Sequence, residues 1–186
     1  CDFSIAVRRE VPVDEYLRAL AGELATRFGE QPPEEVDTIY LGGGTPSRLG
    51  GRGVARALDL VRERFPLAPG GELTIEANPE DLTRESAEAW VAAGVNRLSL
   101  GSQSFDDRVL AWMHRTHDAA AVERAVDVAR AAGISNLSLD LIFALPESLG
   151  RDFARDVARL LALRPEHVSL YGLTVEAGTP LGKWVA

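Results

Sequence analysis

The chain has 186 residues, 46% hydrophobic and 26% charged, so it is long enough to bury one core and we expect one domain. Its net charge of -8, with Lys and Arg dispersed among acids, argues against nucleic acid as a partner, because nucleic-acid phosphates are bound by clustered cations. No apolar stretch approaches the roughly 20 residues of a membrane helix, and one cysteine cannot form an internal disulfide, so we expect a cytoplasmic protein.

Five short runs rich in Val, Ile, Leu, Thr and Tyr predict β-strands, because these residue types are enriched in strands. The runs recur at regular intervals along the chain. The predicted strands are 36–41, 72–76, 96–100, 137–143 and 167–171. A loop before the second strand is marked by Pro66, Pro69, Gly70 and Gly71.

The segments around the strands have apolar residues at helical spacing, which predicts amphipathic helices. Helices are expected near 84–93, 119–132 and 150–163, the first with Thr83 as its N-cap and the second with Gly133 as its C-cap. Two earlier helices are indicated by single apolar stripes, Leu17, Leu20, Leu24 and Phe28, then Val54, Leu58, Val61 and Phe65.

The alternation of strands and helices predicts an α/β fold with a parallel sheet, because parallel neighbours need crossover connections. An open doubly wound sheet and a curved partial barrel both satisfy this pattern. Every predicted strand carries polar or glycine-rich residues at or just after its end. A doubly wound sheet concentrates such residues at one switch point, whereas a barrel distributes them around its rim, so we expect a partial parallel barrel.

The glycine run Gly42-Gly43-Gly44 follows the first predicted strand. Glycines let a ligand approach the backbone and allow positive φ, so this loop can bind phosphate, amine or carboxylate. It lacks the Gly-Lys-Ser/Thr ending of a P-loop, and Ser47 stands where the dinucleotide fingerprint has its third glycine. Taken alone, the run is equally compatible with a tight turn.

Two acidic residues lie inside apolar strands, where a carboxylate is costly unless it is paired or binds something. They are Glu76 and Asp140, and outward-facing strand positions are the alternative interpretation for each. Gln103 adds a neutral hydrogen-bonding group. Arg115 adds a cation that can bind a carboxylate with two parallel hydrogen bonds, although its pattern alone also fits a solvated helix charge.

Seven segments, in chain order, carry a more specific pattern. They are Cys1-Asp2-Phe3, Gly42-Gly43-Gly44-Thr45-Pro46-Ser47, Glu76-Ala77-Asn78-Pro79-Glu80, Gly101-Ser102-Gln103-Ser104-Phe105, Arg115-Thr116-His117, Asp140-Leu141-Ile142 and the segment 167–181. Together they resemble the radical S-adenosylmethionine (SAM) proteins of the oxygen-independent coproporphyrinogen III oxidase-like group. Within that group the chain is most similar to the HemW-type heme chaperones, from residue 1 to about residue 183.

The resemblance implies a [4Fe-4S] cluster held by a Cys-x3-Cys-x2-Cys loop, with SAM bound to the fourth iron through its amino and carboxylate groups. Cys1 matches the third cysteine of that loop. Gly43, Gly44 and Thr45 match the segment that contacts the SAM amino group. The other SAM positions are matched by Glu76, Gln103, Arg115 and Asp140, with Arg115 on the carboxylate and Gln103 and Asp140 on ribose hydroxyls.

The resemblance also implies the domain organisation. Residues 1–186 are expected to form a radical SAM core domain, a partial parallel (β/α)6 TIM-like barrel without its first strand. That strand and the other two cluster cysteines are expected before residue 1, and a β-rich C-terminal domain after residue 186. The family usually has glycine where this chain has His114, Ala144 and Glu147.

Two functions are compatible with the resemblance. The first is a heme chaperone that binds heme and transfers it to acceptor hemoproteins, with the cluster and SAM in a regulatory rather than a catalytic role. The second is an oxidoreductase acting on a porphyrinogen, in which the cluster reduces SAM to methionine and a 5′-deoxyadenosyl radical. The oxidases carry a fourth cysteine where this chain has Phe3, which favours the chaperone. Peripheral contact with a membrane stays open.

Overall fold

The computed structural model describes residues 10–185, so the predicted cluster ligand Cys1 lies outside the described residues. Within that range the chain forms five strands and seven α-helices, joined in part by short 3-10 turns. The strands are β1 (Val36–Leu41), β2 (Leu67–Ala77), β3 (Arg97–Gln103), β4 (Asn136–Phe143) and β5 (His167–Gly172). The helices are α1 (Val13–Phe28), α2 (Gly50–Arg64), α3 (Arg84–Ala92), α4 (Asp107–Trp112), α5 (Ala119–Ala131), α6 (Phe153–Ala162) and α7 (Pro180–Val185).

The five strands form one sheet in the order β1-β2-β3-β4-β5, and every neighbouring pair is parallel. The sheet curls into a half-barrel. The predicted fold class and strand order are therefore confirmed. Because all strands run in the same direction, their carboxyl ends lie along one rim.

The two faces of the sheet differ in chemistry because side chains alternate along each strand. One face is apolar and packs against the helices. The opposite, concave face carries polar residues in register, with Glu76 beside Ser99 and Asp140 beside Ser169. The apolar side of this packing includes Leu73, Ile75, Leu98, Leu100, Leu137, Leu139 and Leu141 on strands, and Val54, Leu58, Trp90 and Val122 on helices.

Single residues mark two helix ends: the predicted N-cap Thr83 is confirmed, and the predicted C-cap Gly133 lies one residue beyond the C-cap Ala132. Thr83 caps α3 in a capping box with Ser86, in which each side chain bonds the other residue's backbone N–H. Gly133, at φ 102°, lies just beyond the C-cap of α5. Its N–H donates to the Arg130 carbonyl and the next N–H donates to the Ala129 carbonyl, the hydrogen-bond pattern of a Schellman motif.

The loop predicted at residues 66–71 is wrong, because β2 begins at Leu67. The pairing with β1 shifts register between Val36–Leu67 and Thr38–Glu72, so the glycines lie in an irregular part of the strand. A Cβ on Gly71 would lie 2.7 Å from the backbone oxygen of Asp37. Glycine thus marks a close approach of two strands here, rather than a loop.

Two positions where the family usually has glycine adopt the left-handed backbone conformation that glycine favours. His114 has φ 56° and Ala144 has φ 58°. His114 follows α4 in a Schellman motif. Its N–H donates to the Ala111 carbonyl, and the Arg115 N–H donates to the Leu110 carbonyl. Glu147, the third position, instead begins a 3-10 turn.

We predict that Ala144→Gly stabilises the protein by about 0.5 kcal/mol. The left-handed conformation costs a non-glycine residue about 1–2 kcal/mol, and the greater flexibility of unfolded glycine offsets part of the gain. The matched control is Ala55→Gly in α2, which should lose about 1 kcal/mol. Chemical denaturation measures both, and equal losses at the two positions would contradict the prediction.

Candidate functional site

The residues predicted from the sequence lie along the carboxyl-end rim of the half-barrel. The glycine run follows β1, Glu76 is the penultimate residue of β2 and Gln103 is the last residue of β3. Asp140 lies within β4, and Arg115 follows α4. Three crossover connections, from β1 to β4, therefore bring together residues that are far apart in sequence.

Glu76 fixes the glycine loop to the sheet. Its Oε2 accepts a hydrogen bond from the Gly43 N–H at 3.0 Å, and its Oε1 accepts one from the Tyr40 hydroxyl at 2.7 Å. Burial, followed by the bond to Glu76, raises the pKa of Tyr40, so the phenol remains a donor. A Cβ on Gly42 would lie 2.5 Å from the Tyr40 ring, so this contact requires glycine. Glu76 thus orders the loop that was predicted to contact SAM.

The next two loop residues face solvent. Gly44 and Thr45 are both exposed, and the Thr45 hydroxyl donates to the Gly44 carbonyl at 2.7 Å. Ser47, two residues later, is buried and donates to the Asp81 carboxylate at 2.7 Å. The loop therefore has an exposed middle between two anchored ends.

Arg115 and Gln103 both lie close to Asn78 and Gly101. The Arg115 guanidinium donates to Asn78 Oδ1 at 3.5 Å. A Cβ on Gly101 would lie 3.5 Å from the same oxygen and 3.0 Å from Gln103 Nε2. The bare backbone of Gly101 leaves room for the Gln103 amide, which belongs to a buried residue with φ 63°.

Arg115 is a partly buried cation without a bound carboxylate. Burial lowers its pKa, and the negative charges of Glu80 and Asp140 oppose that effect. Among residues 10–185, none of the ion pairs includes Arg115. Such a guanidinium suits a ligand carboxylate, so the side chains present fit the carboxylate of SAM.

Asp140 lies on the concave face with the charge of Glu76 nearby. Burial raises its pKa to about 6, and Glu76 adds to this, although hydrogen bonds from Ser169 and Ser99 work in the opposite direction. The Ser99 hydroxyl is 3.4 Å from Asp140 Oδ1. A carboxyl group with this pKa can accept or donate a hydrogen bond near neutral pH, which suits a hydroxyl partner.

A buried ion pair joins the ends of β3 and β4. The side chains of Arg151 and Asp156 are 6% and 3% exposed, and Arg151 Nη2 lies 2.6 Å from Asp156 Oδ2. The guanidinium also donates to the carbonyl oxygens of Ile142 and Gln103, and the carboxylate accepts from the Ser104 hydroxyl at 2.6 Å. This cluster therefore contacts the Gln103 carbonyl and the side chain of the next residue, Ser104.

A pocket of about 490 Å³ lies beside the rim, between the turn after β2 and α5. It is bordered by Glu80, His117 and Arg124 among others, and none of the predicted SAM residues borders it. We therefore do not assign SAM to this pocket.

The structure brings the predicted residues into three groups. Gly43 and Glu76 are in direct contact, Arg115 and Gln103 share Asn78 and Gly101, and Asp140 interacts with Ser99. Sequence reasoning gave no role to Tyr40, Asn78, Ser99, His117, Arg151 or Asp156. A polar residue within an apolar strand was a usable signal for Ser99, whereas the Arg151–Asp156 pair has none in the local sequence.

The chain matches the Radical SAM superfamily over residues 1–160. It belongs to the radical SAM superfamily. It is 39% identical to the heme chaperone HemW of Escherichia coli strain K12 over 183 residues, which is 98% of this chain and 48% of that protein. It is 40% identical to HemW of Mycobacterium tuberculosis strain H37Rv over 188 residues, which is 100% of this chain and 48% of that protein.

A solved structure of the coproporphyrinogen III oxidase HemN of Escherichia coli, described as a radical SAM enzyme, resembles this fold with a TM-score of 0.83. The two are 30% identical, over 92% of this chain and 40% of HemN. The chain thus spans about half the length of the relatives that it matches. Radical SAM membership implies a [4Fe-4S] cluster and SAM. No helix in the described residues is long and apolar enough to cross a membrane.

We predict that Asp140→Asn raises the free energy of unfolding at about pH 8 by about 1–3 kcal/mol. Because the folded pKa of about 6 exceeds the unfolded value of 3.8, the contribution of Asp140 to stability is complete below the unfolded value and is lost as the pH rises through about 6. The advantage of the variant should therefore vanish towards pH 4. Urea denaturation across this range measures it, and a pH-independent difference would refute the explanation.

The control for this titration is Asp127→Asn, an exposed position on α5. It should change the free energy of unfolding by less than about 0.5 kcal/mol at each pH.

We predict that Asp156→Ala destabilises the protein by about 3–5 kcal/mol, because it leaves the Arg151 guanidinium buried and without its counter-ion. Glu23→Ala, which breaks an exposed pair with Arg27, should cost less than about 1 kcal/mol. Replacing both buried partners, with Arg151→Met and Asp156→Leu, should cost less than Asp156→Ala alone. Denaturation midpoints decide this, and similar losses for Asp156→Ala and Glu23→Ala would contradict it.

Proposed function

We propose that this protein is a heme chaperone of the HemW type, which binds a [4Fe-4S] cluster and SAM and transfers heme to acceptor hemoproteins. The observation that carries the proposal is similarity along the whole chain. Two proteins named heme chaperone HemW are 39% and 40% identical to it over 98% and 100% of its length. Because the chain spans 48% of each, heme as cargo and the hemoprotein acceptor are proposed for the whole protein.

SAM is proposed to bind at the rim described above. Arg115 binds its carboxylate, the exposed loop at residues 43–45 binds its amino group, and Gln103 and Asp140 bind ribose hydroxyls. The Arg115 guanidinium without an ion-pair partner in residues 10–185 supports this assignment. Glu76 is also proposed to bind SAM, because each of its oxygens accepts one hydrogen bond from a protein group and retains a lone pair for the ligand. When bound beside a reduced cluster, SAM supplies a sulfonium that can accept an electron.

The cluster ligand on this chain is proposed to be Cys1, on the sequence match alone, since thiolates are the usual ligands of iron–sulfur clusters. One thiolate is too few for a [4Fe-4S] cluster, so the proposal requires further cysteines. The protein's own contribution at the rim is to orient SAM, through the anchored loop and the partly buried Arg115.

A second candidate is an oxidoreductase of the oxygen-independent coproporphyrinogen III oxidase type. The observation that favours it is the 0.83 TM-score and 30% identity with HemN. Identity to the HemW proteins is higher, and Phe3 occupies the position of the oxidases' fourth cysteine. Both comparisons favour the chaperone.

The two candidates differ in what happens to a tetrapyrrole. We expect the heme-loaded full-length protein to transfer heme to an apo-hemoprotein, seen as the loss of its Soret band and the appearance of the acceptor's band. We also expect no decarboxylation of coproporphyrinogen III under anaerobic, reducing conditions with SAM. Decarboxylation without heme transfer would replace the chaperone with the oxidase.

We predict that Arg115→Met weakens SAM binding by about 10–100-fold, because a charge-assisted hydrogen bond contributes about 1.5–3 kcal/mol. The measurement is anaerobic equilibrium dialysis of SAM against the reconstituted full-length protein. Arg124→Met, on the exposed face of α5 and paired with Asp118, is the control and should leave the affinity unchanged. Equal affinities for wild type and Arg115→Met would remove Arg115 from the site.

A further inference from the structure

His117 is a fully buried histidine two residues after Arg115, and both of its ring nitrogens face oxygen acceptors. Its side chain is 0% exposed. Nδ1 lies 3.0 Å from Glu80 Oε2, and Nε2 lies 3.3 Å from the backbone carbonyl oxygen of Ser102. A carbonyl oxygen and an ionised carboxylate can only accept hydrogen bonds, so both contacts are satisfied together only when both ring nitrogens carry protons. With a neutral ring, only one of these two contacts can be a hydrogen bond.

Glu80 supplies the opposite charge. Its carboxylate also accepts a hydrogen bond from the Thr116 hydroxyl. Burial alone raises the pKa of Glu80, but hydrogen bonds from His117 and Thr116 outweigh it and lower the pKa to about 2. The carboxylate is thus ionised at neutral pH, and a neutral His117 would leave one of its two acceptor contacts unsatisfied.

The charged groups around the ring come from three elements. Glu80 lies on the turn after β2, and Arg115 precedes the ring in its own segment. Asp118 caps α5, and Arg124 of α5 is paired with it. Glu80 is the only one of these in direct contact with the imidazole among the described residues.

The ring connects three segments, which carry Arg115, its hydrogen-bond partner Asn78, and Gln103. Glu80 is two residues beyond Asn78, which accepts from the Arg115 guanidinium. Ser102 immediately precedes Gln103, and its hydroxyl donates to the backbone carbonyl of Asp140 at 2.6 Å. His117 itself fixes the segment that begins with Arg115.

We propose that His117 is a positioning residue that acts as a buried imidazolium, joining Glu80 to the Ser102 carbonyl and so fixing Arg115 and Gln103 relative to each other. It does not touch the proposed ligand. That SAM is the ligand positioned rests on the proposed function, whereas the charged state of the ring does not.

The charge is tested without SAM by nitrogen NMR of the protein labelled with [15N]histidine. The His117 ring is assigned as the signal missing from His117→Gln. At about pH 7.5, where an exposed histidine is mostly neutral, we expect both of the ring nitrogens to be protonated. In Glu80→Gln, which keeps the shape but removes the carboxylate, we expect one nitrogen to lose its proton. A neutral His117 ring in the wild type at this pH overturns the proposal.

The positioning role is tested by SAM affinity in the same variants of the reconstituted full-length protein. Glu80→Gln should weaken SAM binding by roughly 10-fold, because small displacements of binding groups are costly. Glu23→Gln, which neutralises an exposed ion-pair carboxylate on α1, is the matched control and should bind like the wild type. Thermal unfolding verifies that both variants are folded.

The outcomes separate this inference from the proposed function. A protonated ring with unchanged SAM affinity in a folded Glu80→Gln overturns the positioning role. A wild type that binds no SAM overturns the proposed function, and with it SAM as the positioned ligand, while the NMR result still decides the charge of His117. A protonated ring together with the selective loss of affinity in Glu80→Gln supports both parts.

Discussion

The alternation of side chains along five parallel strands is the constraint on which the site depends. Apolar residues such as Leu98 on β3 and Leu139 on β4 face the helices. The residues that alternate with them along each strand must therefore face the concave side. Parallel pairing then brings the polar ends of all strands to one rim. A shift of one residue in any strand would move its polar side chain into the core and its leucines into the concave face.

The rim holds charges at the expense of stability. Asp140 is partly buried near a second carboxylate, Glu76, and Arg115 is partly buried without a bound counter-ion in the described chain. Both features oppose folding in the absence of a ligand, and a ligand bound selectively by the folded protein would offset them. The tension between stability and binding is expected at a functional site. The apolar face of the sheet, whose leucines are fully buried against the helices, supplies the compensating stability.

Short polar links fix the backbone around these charges. Ser102 joins β3 to β4, Ser104 joins β3 to the Arg151–Asp156 pair, and Glu80 joins the turn after β2 to His117. These groups bind one another rather than solvent, which fixes the loops in one arrangement. The residues proposed to contact SAM are therefore supported by a second layer of polar residues.

The sequence by itself determined the strands, the main helices and the parallel half-barrel, because the periods of apolar residues and the capping signals at Thr83 and Gly133 act locally. It also indicated the rim residues, since a carboxylate such as Glu76 within an apolar run is conspicuous. Residues 67–71 were wrongly predicted as a loop, because glycine occurs both in loops and where two strands approach closely. Only the tertiary structure paired Arg151 with Asp156 and enclosed His117 between two acceptors, because those contacts depend on how separate crossovers pack.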